Sequence, residues 1–372
     1  MAMTTKLYAL CAHVRLPLAL YLLGILPAMA AQIEAPLQER PALHSELAAR
    51  SLMLDVTRAG SDLLAVGERG FILRSQDNGH SWQQVPSPVS VTLTRVTFPT
   101  PSQGWAVGHA GVILHSDDGG RSWIRQLEGT QAAQLAVEAA DAAYTRQPDA
   151  DSQRHLDDAH QLVEDGPDKP FLAVHFLDAQ RGLVVGAYGL AFATTDGGQH
   201  WRSISQQLDN PSALHLYDIV DLDGTLFIGG EQGLLLRSTD QGEHFSALDT
   251  PASGTLFGLL AGPGKNLLAF GLRGKIMRSE NLGDSWQTVI NDQPITLTAG
   301  ARASDGTLLL VDETGRLLIS RDQGRHFKAT ASQAGALTSL SEAAEGRFML
   351  SGLRGLTAFS LPDGQRSSAR EQ

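Results

Sequence analysis

Five aspartates recur in one setting along this chain. Asp77, Asp118, Asp196, Asp240 and Asp322 each stand two residues after a Ser or Thr and five before an aromatic residue. Rows of carboxylates serve general acid/base chemistry or calcium binding, but both need the carboxylates gathered in one place. Here they come once per repeat and never as a cluster, and Asn281 occupies the same slot in a further copy. An amide still makes turn hydrogen bonds but is a poor acid or base. The pattern therefore reads as structural: the carboxylate accepts N–H groups across a turn, the following Gly takes a positive φ, and the aromatic (Trp82, Trp123, Trp201, Phe245, Trp286 or Phe327) wedges between neighbouring units.

The unit around each box is longer than the box. Gly67-Glu-Arg-Gly70, running to Ser75, Asp77, Gly79 and Trp82, recurs from Gly108, Gly186, Gly230, Gly271 and Asp312, with a decayed seventh copy at Gly352 in which Pro362 replaces the aspartate. Successive copies are 41, 78, 44, 41, 41 and 40 residues apart, and about 40 residues is the size of one four-stranded propeller blade. One such sheet cannot hide both faces, so blades must stack around an axis. The expectation is an all-β, seven-bladed β-propeller, with residues 31–372 forming a single domain.

The long step holds residues 128–168, which have no box and no Gly-x-x-Gly. Leu156, Ala159 and Val163 fall on one helical face, Ser152 can cap the start and Gly166-Pro167 can stop the helix. This predicts a helical-hairpin insertion between blades 2 and 3, with ten acidic and two basic residues. It is either a solvated decoration or a specificity element for a partner. Ring closure is expected from residues near Gln32 to Leu37, returning as the outer strand of the last blade, because a bare edge is a liability.

Residues 1–30 carry Lys6 and Arg15, an apolar run from Leu16 and the closing pattern Ala28-Met29-Ala30. They read as a secretory signal peptide, the apolar run being short of the ~20 residues of a membrane span. The one cysteine, Cys11, lies inside it, so the exported chain has no thiol for a disulfide, nucleophile or metal site. The net charge is −11, which argues against nucleic acid as a partner.

The repeated box is similar to that of BNR-repeat proteins, which include sialidases and other glycoside hydrolases. The fuller unit, as in Gly104-Trp-Ala-Val-Gly-His-Ala-Gly-Val-Ile-Leu-His-Ser-Asp-Asp-Gly-Gly-Arg-Ser-Trp123, resembles more closely the photosystem II stability and assembly factor family. The resemblance covers about residues 50 to 365. It implies an exported or thylakoid-lumenal seven-bladed propeller that helps a membrane protein complex assemble; relatives also occur in bacteria without photosystems. The acidic insertion departs from the compact family pattern.

About five residues separate each Gly-x-x-Gly turn from its box, so the two sit at opposite ends of one strand, ~17 Å apart. The residues inside the turns vary, and variable turns on a rigid scaffold carry recognition. The binding-face candidates are Arg69, His109, Tyr188, Glu231, Gln232, Arg273, Glu313 and Arg354. The three arginines suit carboxylates or carbonyls of a bound segment, or are solvated turn residues. A sialidase-like site would need a Tyr nucleophile paired with Glu. Tyrosines beyond the leader are only Tyr144, Tyr188 and Tyr217, and no Phe-Arg-Ile-Pro start is present. A carbohydrate-binding propeller would need spare stacking platforms, whereas the tryptophans other than Trp105 belong to boxes. His155 and His160 are five apart, a poor metal spacing. The expectation is a non-catalytic, monomeric scaffold without metal or cofactor. It would bind an envelope or integral membrane protein, for example a transporter, in the periplasm, or in the thylakoid lumen of a photosynthetic organism. The alternative is a BNR-repeat glycoside hydrolase or a carbohydrate-binding propeller.

Overall fold

The computed structural model describes residues 35–330 and 335–361. The leader, Pro362 and Gly364 lie outside them. Each repeat folds as an antiparallel meander in which the strand before the Gly-x-x-Gly turn and the strand after it form the middle of the sheet. Blade 1 comprises Met53–Ala59, Asp62–Gly67, Ile72–Ser75 and Gln83–Val85, and blade 2 comprises Leu93–Thr97, Gly104–Gly108, Ile113–Ser116 and Ile124–Leu127. The innermost strands of blades 3 to 7 are Phe171–Phe176, Leu216–Leu222, Leu256–Ala261, Leu297–Arg302 and Leu337–Ala344. Among the described residues there are six four-stranded sheets and one, blade 7, of three strands. The second strand of each blade is a near-continuous apolar run such as Leu63-Leu64-Ala65-Val66, buried throughout because another blade covers each face.

Seven clusters of buried apolar side chains follow, one at each junction between neighbouring blades. Each box aromatic joins the cluster shared with the preceding blade: Trp123 packs against blade 1, Trp201 against blade 2 and Phe245 against blade 3. The junction that closes the ring contains Met53, Val56 and Leu63 of blade 1 with Ala343 and Met349 of blade 7, wedged by Ala48 and Ala49.

At its described end, the expected returning strand runs beside blades 1 and 2 rather than along blade 7. Gln32 to Glu34 lie outside the described residues, and Leu37 opens a short 3-10 turn, Leu37–Glu39, beside blades 1 and 2. Its carbonyl accepts the Ser90 N–H over 2.8 Å, and Gln38 offers its carbonyl to Arg125. Among the described residues, side-to-side packing of blades 7 and 1 brings the two ends of the ring together.

The insertion is two helices, α1 (Gly129–Arg146) and α2 (Ala150–Asp165). Glu128 caps α1, accepting Thr130 and Gln131 N–H groups at 3.0 Å. Asp149 caps α2, with Ser152 three residues on completing a reciprocal capping box. Ser152 thus closes the box rather than occupying the cap itself. Gly166, at φ 81°, ends the helix. The packed face of α2 runs through Ala159 and Leu162, leaving Val163 at 44% exposure.

Candidate binding face

All seven Gly-x-x-Gly turns are tied down identically at their first variable residue. Its backbone N–H donates to the carbonyl just before the innermost strand of the same blade, as in Glu68 to Leu52 (3.0 Å), Leu272 to Thr255 (2.9 Å) and Leu353 to Ala336 (3.1 Å). The leading glycine permits this approach: a Cβ on Gly67 would lie 2.2 Å from the Leu52 oxygen. Blade 6 has Asp312 there instead. Its buried carboxylate accepts the N–H groups of Thr314 and Arg316 and pairs with the Arg316 guanidinium at 2.7 Å. Burial raises the Asp312 pKa, but these bonds outweigh it and hold the group below its usual range.

Three glutamates at the first variable position do the same work twice. The carboxylates of Glu68, Glu231 and Glu313 accept the N–H groups of Leu52, His215 and Thr296, which start the adjoining inner-strand segments. Glu231 also pairs with His215 Nδ1 at 3.1 Å. Of the sequence candidates, Glu231 and Glu313 are therefore already engaged within the fold.

The second variable residue points outward. Arg69, Ala110, Tyr188, Gln232 and Arg273 all adopt left-handed backbone, φ 54–56°, a conformation that side chains other than glycine enter at a cost. Arg69, Arg273 and Arg354 are exposed, and among the described residues none makes a hydrogen bond or ion pair. His109 and Gln232 are exposed too. Large apolar side chains are also exposed on these turns: Tyr188 at 58%, Leu353 at 59% and Leu272 at 37%. Arginine, tyrosine and leucine on a rigid frame make a surface of interface type, since buried arginines and aromatics anchor protein–protein contacts.

Chain topology puts the hairpin on this same face. It joins the outer strand of blade 2 to the inner strand of blade 3, and that connection lies at the Gly-x-x-Gly end of both sheets. Lys169 at its base pairs with Asp165 (3.1 Å) and Asp168 (2.5 Å), which hold its ammonium pKa up. Between α2 and blade 3 lies a cleft of about 250 Å³ with Tyr188 on one wall.

The opposite face carries the boxes. Asp77 accepts from Ser75 Oγ (2.7 Å) and from the Ser81 N–H (2.9 Å), while the Gly79 N–H donates to Ser75 Oγ (2.8 Å). Asp118, Asp196, Asp240 and Asp322 repeat the arrangement, and Asn281 reproduces it with its amide oxygen. These bonds hold the Asp77 pKa low, and those of Asp118, Asp196, Asp240 and Asp322 down to about 2. Among the described residues no three His, Cys, Asp or Glu converge as a metal site.

The axis holds a charged group that the motifs do not contain. Arg95 of blade 2 meets Asp218 of blade 4 at 3.2 Å, and Asp55 of blade 1 lies close enough to attract the same guanidinium. Asp55 also accepts from Ser339 Oγ of blade 7 (2.6 Å) and the Val96 N–H of blade 2 (2.9 Å). Asp218 accepts from the Leu259 N–H of blade 5 (2.9 Å) and from its neighbour Ile219 (3.0 Å). Burial pushes both carboxyl groups up and the Arg95 guanidinium draws them back, leaving them raised. Their bonds are spent on neighbouring blades, which suits a cross-axis brace. The available signal in the sequence was positional: these residues fall just past the start of their inner strands, where blades 3, 5 and 6 carry Ala173, Gly258 and Ala299.

Fold and boxes together define a BNR-repeat seven-bladed β-propeller. The family model described as photosynthesis system II assembly factor YCF48 matches residues 38–140 and 153–357, and the chain belongs to that family. It is similar to the photosystem II assembly lipoprotein Ycf48 of Synechococcus sp. (strain CC9902), with 29% identity over 157 residues. That match covers 41% of this chain and 46% of the relative, so the chain spans about half the length of the curated relative it matches. Among solved structures, a YCF48 bound to D1 peptide superposes with a TM-score of 0.62 at 16% identity, covering 87% of this chain and 100% of that one. YCF48 from Cyanidioschyzon merolae gives 0.61 at 16%, covering 84% and 96%. A GH74 enzyme of Niastella koreensis gives 0.58 at 15%, covering 83% and 43%. At these identities the structural likeness is one of fold.

Proposed function

We propose that this chain is an exported, non-catalytic propeller that binds a segment of an envelope membrane protein on its Gly-x-x-Gly face and assists assembly of that protein's complex. The observation that carries the reading is the set of exposed arginines Arg69, Arg273 and Arg354, unpaired among the described residues and two of them on left-handed backbone, together with exposed Tyr188, Leu272 and Leu353. Membership of an assembly-factor family supports it, as do a relative named as a lipoprotein and another solved with a peptide bound. Residues 1–30 act as the signal peptide, and the remainder works as one monomeric propeller in the periplasm or, in a photosynthetic organism, the thylakoid lumen. The glycosidase alternative loses ground because the axial carboxylates, Asp55 and Asp218, are occupied by blade-to-blade bonds.

The test is in-cell crosslinking and pull-down of the tagged protein, comparing wild type with an Arg69, Arg273, Arg354→Ala triple variant. Wild type is expected to recover one membrane protein that the variant loses. Equal recovery by both would remove the arginines from the account, and recovery of nothing by either would remove the assembly role.

A further inference from the structure

An ammonium and four rings lie in single file across blades 3 to 5 of the Gly-x-x-Gly face. Lys169 Nζ stands 5.3 Å from the Tyr188 ring centre, and Tyr188 lies 4.7 Å from the His215 ring. His215 stacks on Tyr217 at 6.4 Å, and Tyr217 meets Phe257 edge-on at 5.1 Å. Tyr188 is more than half exposed and the other three rings are partly so. Phe257 is on the inner strand of the blade whose turn carries Arg273. At the far end, Tyr188 walls the cleft under the hairpin. Ala136, Ala159 and Leu162 line it, and His155 and Asp158 stand at its α2 side.

The two ends of this file differ in charge. One lies on blade 5, whose turn carries Arg273, exposed and without a partner among the described residues. The other lies under an insertion with ten acidic and two basic residues, where Lys169 is already matched by two carboxylates. We infer that the file is a track for an extended peptide segment of fixed charge order. Its acidic end lies at Arg273, apolar residues lie over Tyr217 and Phe257, and a lysine or arginine enters the cleft beside Asp158 and Tyr188. This rests on the binding face proposed above and adds the occupant's chemistry and orientation. A segment of the reverse order would set like charges together at both ends, an arrangement that rejects wrong partners more strongly than it strengthens right ones. Tyr188 suits a cationic side chain because its ring face attracts cations. The ring-to-ring steps of 4.7, 6.4 and 5.1 Å bound the span from Tyr188 to Phe257 at about 16 Å, the reach of roughly five extended residues, so a spacer of that length lets the partner reach both ends.

The experiment uses the full exported chain and fluorescein-labelled peptides with amidated C-termini, each made in both chain directions. The first peptide has a lysine, a five-residue Leu/Ser spacer and an Asp-Glu pair; the second has Gln for the lysine; the third shortens the spacer to one residue. On wild type, the first is expected to bind at least tenfold more tightly than the other two. Asp158→Asn is expected to erase the gap between the first and second peptides while leaving the second unchanged, and the arginine triple variant to weaken all three. If the acidic peptides bind and the triple variant weakens them, yet neither the lysine nor Asp158→Asn changes affinity, the track is wrong and the arginine face stands. If no peptide binds wild type, or the triple variant binds as wild type does, the face itself fails and the track with it.

Discussion

The hydroxyl of Thr338 in blade 7 donates to the backbone carbonyl of Met53 in blade 1 across 2.8 Å. Thr94 reaches Phe171 of blade 3, and Thr298 reaches Leu337 of blade 7, in the same way at 2.7 Å. The junction that closes the ring thus uses the same stitch as junctions within the chain. Thr338→Val keeps the shape and removes the donor, leaving a carbonyl unpartnered in that direction. It should destabilise the protein by about 1 kcal/mol, read as a lower urea midpoint with an unchanged slope. Thr94→Val should do the same, and a neutral result for both would show that blade packing alone closes the ring.

Arg95→Met should be more damaging than loss of any arginine on the binding face. It leaves Asp55 and Asp218 near each other and without their cation; removing one member of a fully buried charged set typically costs about 3–5 kcal/mol, and the part exposure of Arg95 and Asp218 puts the expected loss at or below the lower end of that range. The variant should also show a steeper pH dependence than wild type, because the Arg95 guanidinium no longer draws the two raised carboxyl groups back. A carboxyl whose folded pKa is raised contributes stability that is present below its unfolded pKa, near 3.8, and lost as pH rises through the folded value. The variant should therefore recover stability on mild acidification, and a pH-independent deficit would contradict the brace.

The boxes predict the opposite sign. Asp118, Asp196, Asp240 and Asp322 have folded pKa values of about 2 against an ordinary 3.8, so their contribution is present above about pH 4 and is lost as pH falls toward 2. The hydrogen bonds of the turns cause this, against a contrary pull from burial that is the largest single influence at Asp118 and Asp322. Thermal midpoints should hold from pH 6 to pH 4 and drop steeply below. Asp196→Asn, which copies the natural Asn281, should weaken that drop; an unchanged acid limb would mean the boxes do not control it.

Binding and folding should separate at Arg273. In Arg273→Gly, relief of the left-handed backbone, roughly 1–2 kcal/mol, exceeds the added freedom of glycine in the unfolded chain, roughly 0.4–1 kcal/mol. The variant should be at least as stable as wild type while binding its partner more weakly. A less stable variant would mean that the arginine side chain supports the turn.

Much of this was legible because each repeat carries its own register. The glycines, box aspartates and box aromatics mark both ends of one strand in every blade, so blade number, the two faces and the inserted hairpin follow from spacing alone. Closure was not legible, since it depends on how Ala48 and Ala49 wedge between two blades distant in sequence. Nor was the division of labour among the turn residues. Glu231 and Arg273 look equally variable in the sequence, and only the fold shows that Glu231 reaches back to the His215 N–H while Arg273 has no partner among the described residues. The axial brace escaped because Asp55, Arg95 and Asp218 lie outside the repeated box, on strands whose register at the axis is a tertiary property.

The central claim is that one face binds. Its most direct measurement places a photo-crosslinking residue, one variant at a time, at Leu272 and Leu353 on the Gly-x-x-Gly face and at Asp284 and Arg325 beside the boxes, in otherwise wild-type protein in its native envelope. One shared membrane-protein adduct is expected from the first two positions and none from the second two. The same adduct from Asp284 and Arg325, with none from Leu272 and Leu353, would contradict it.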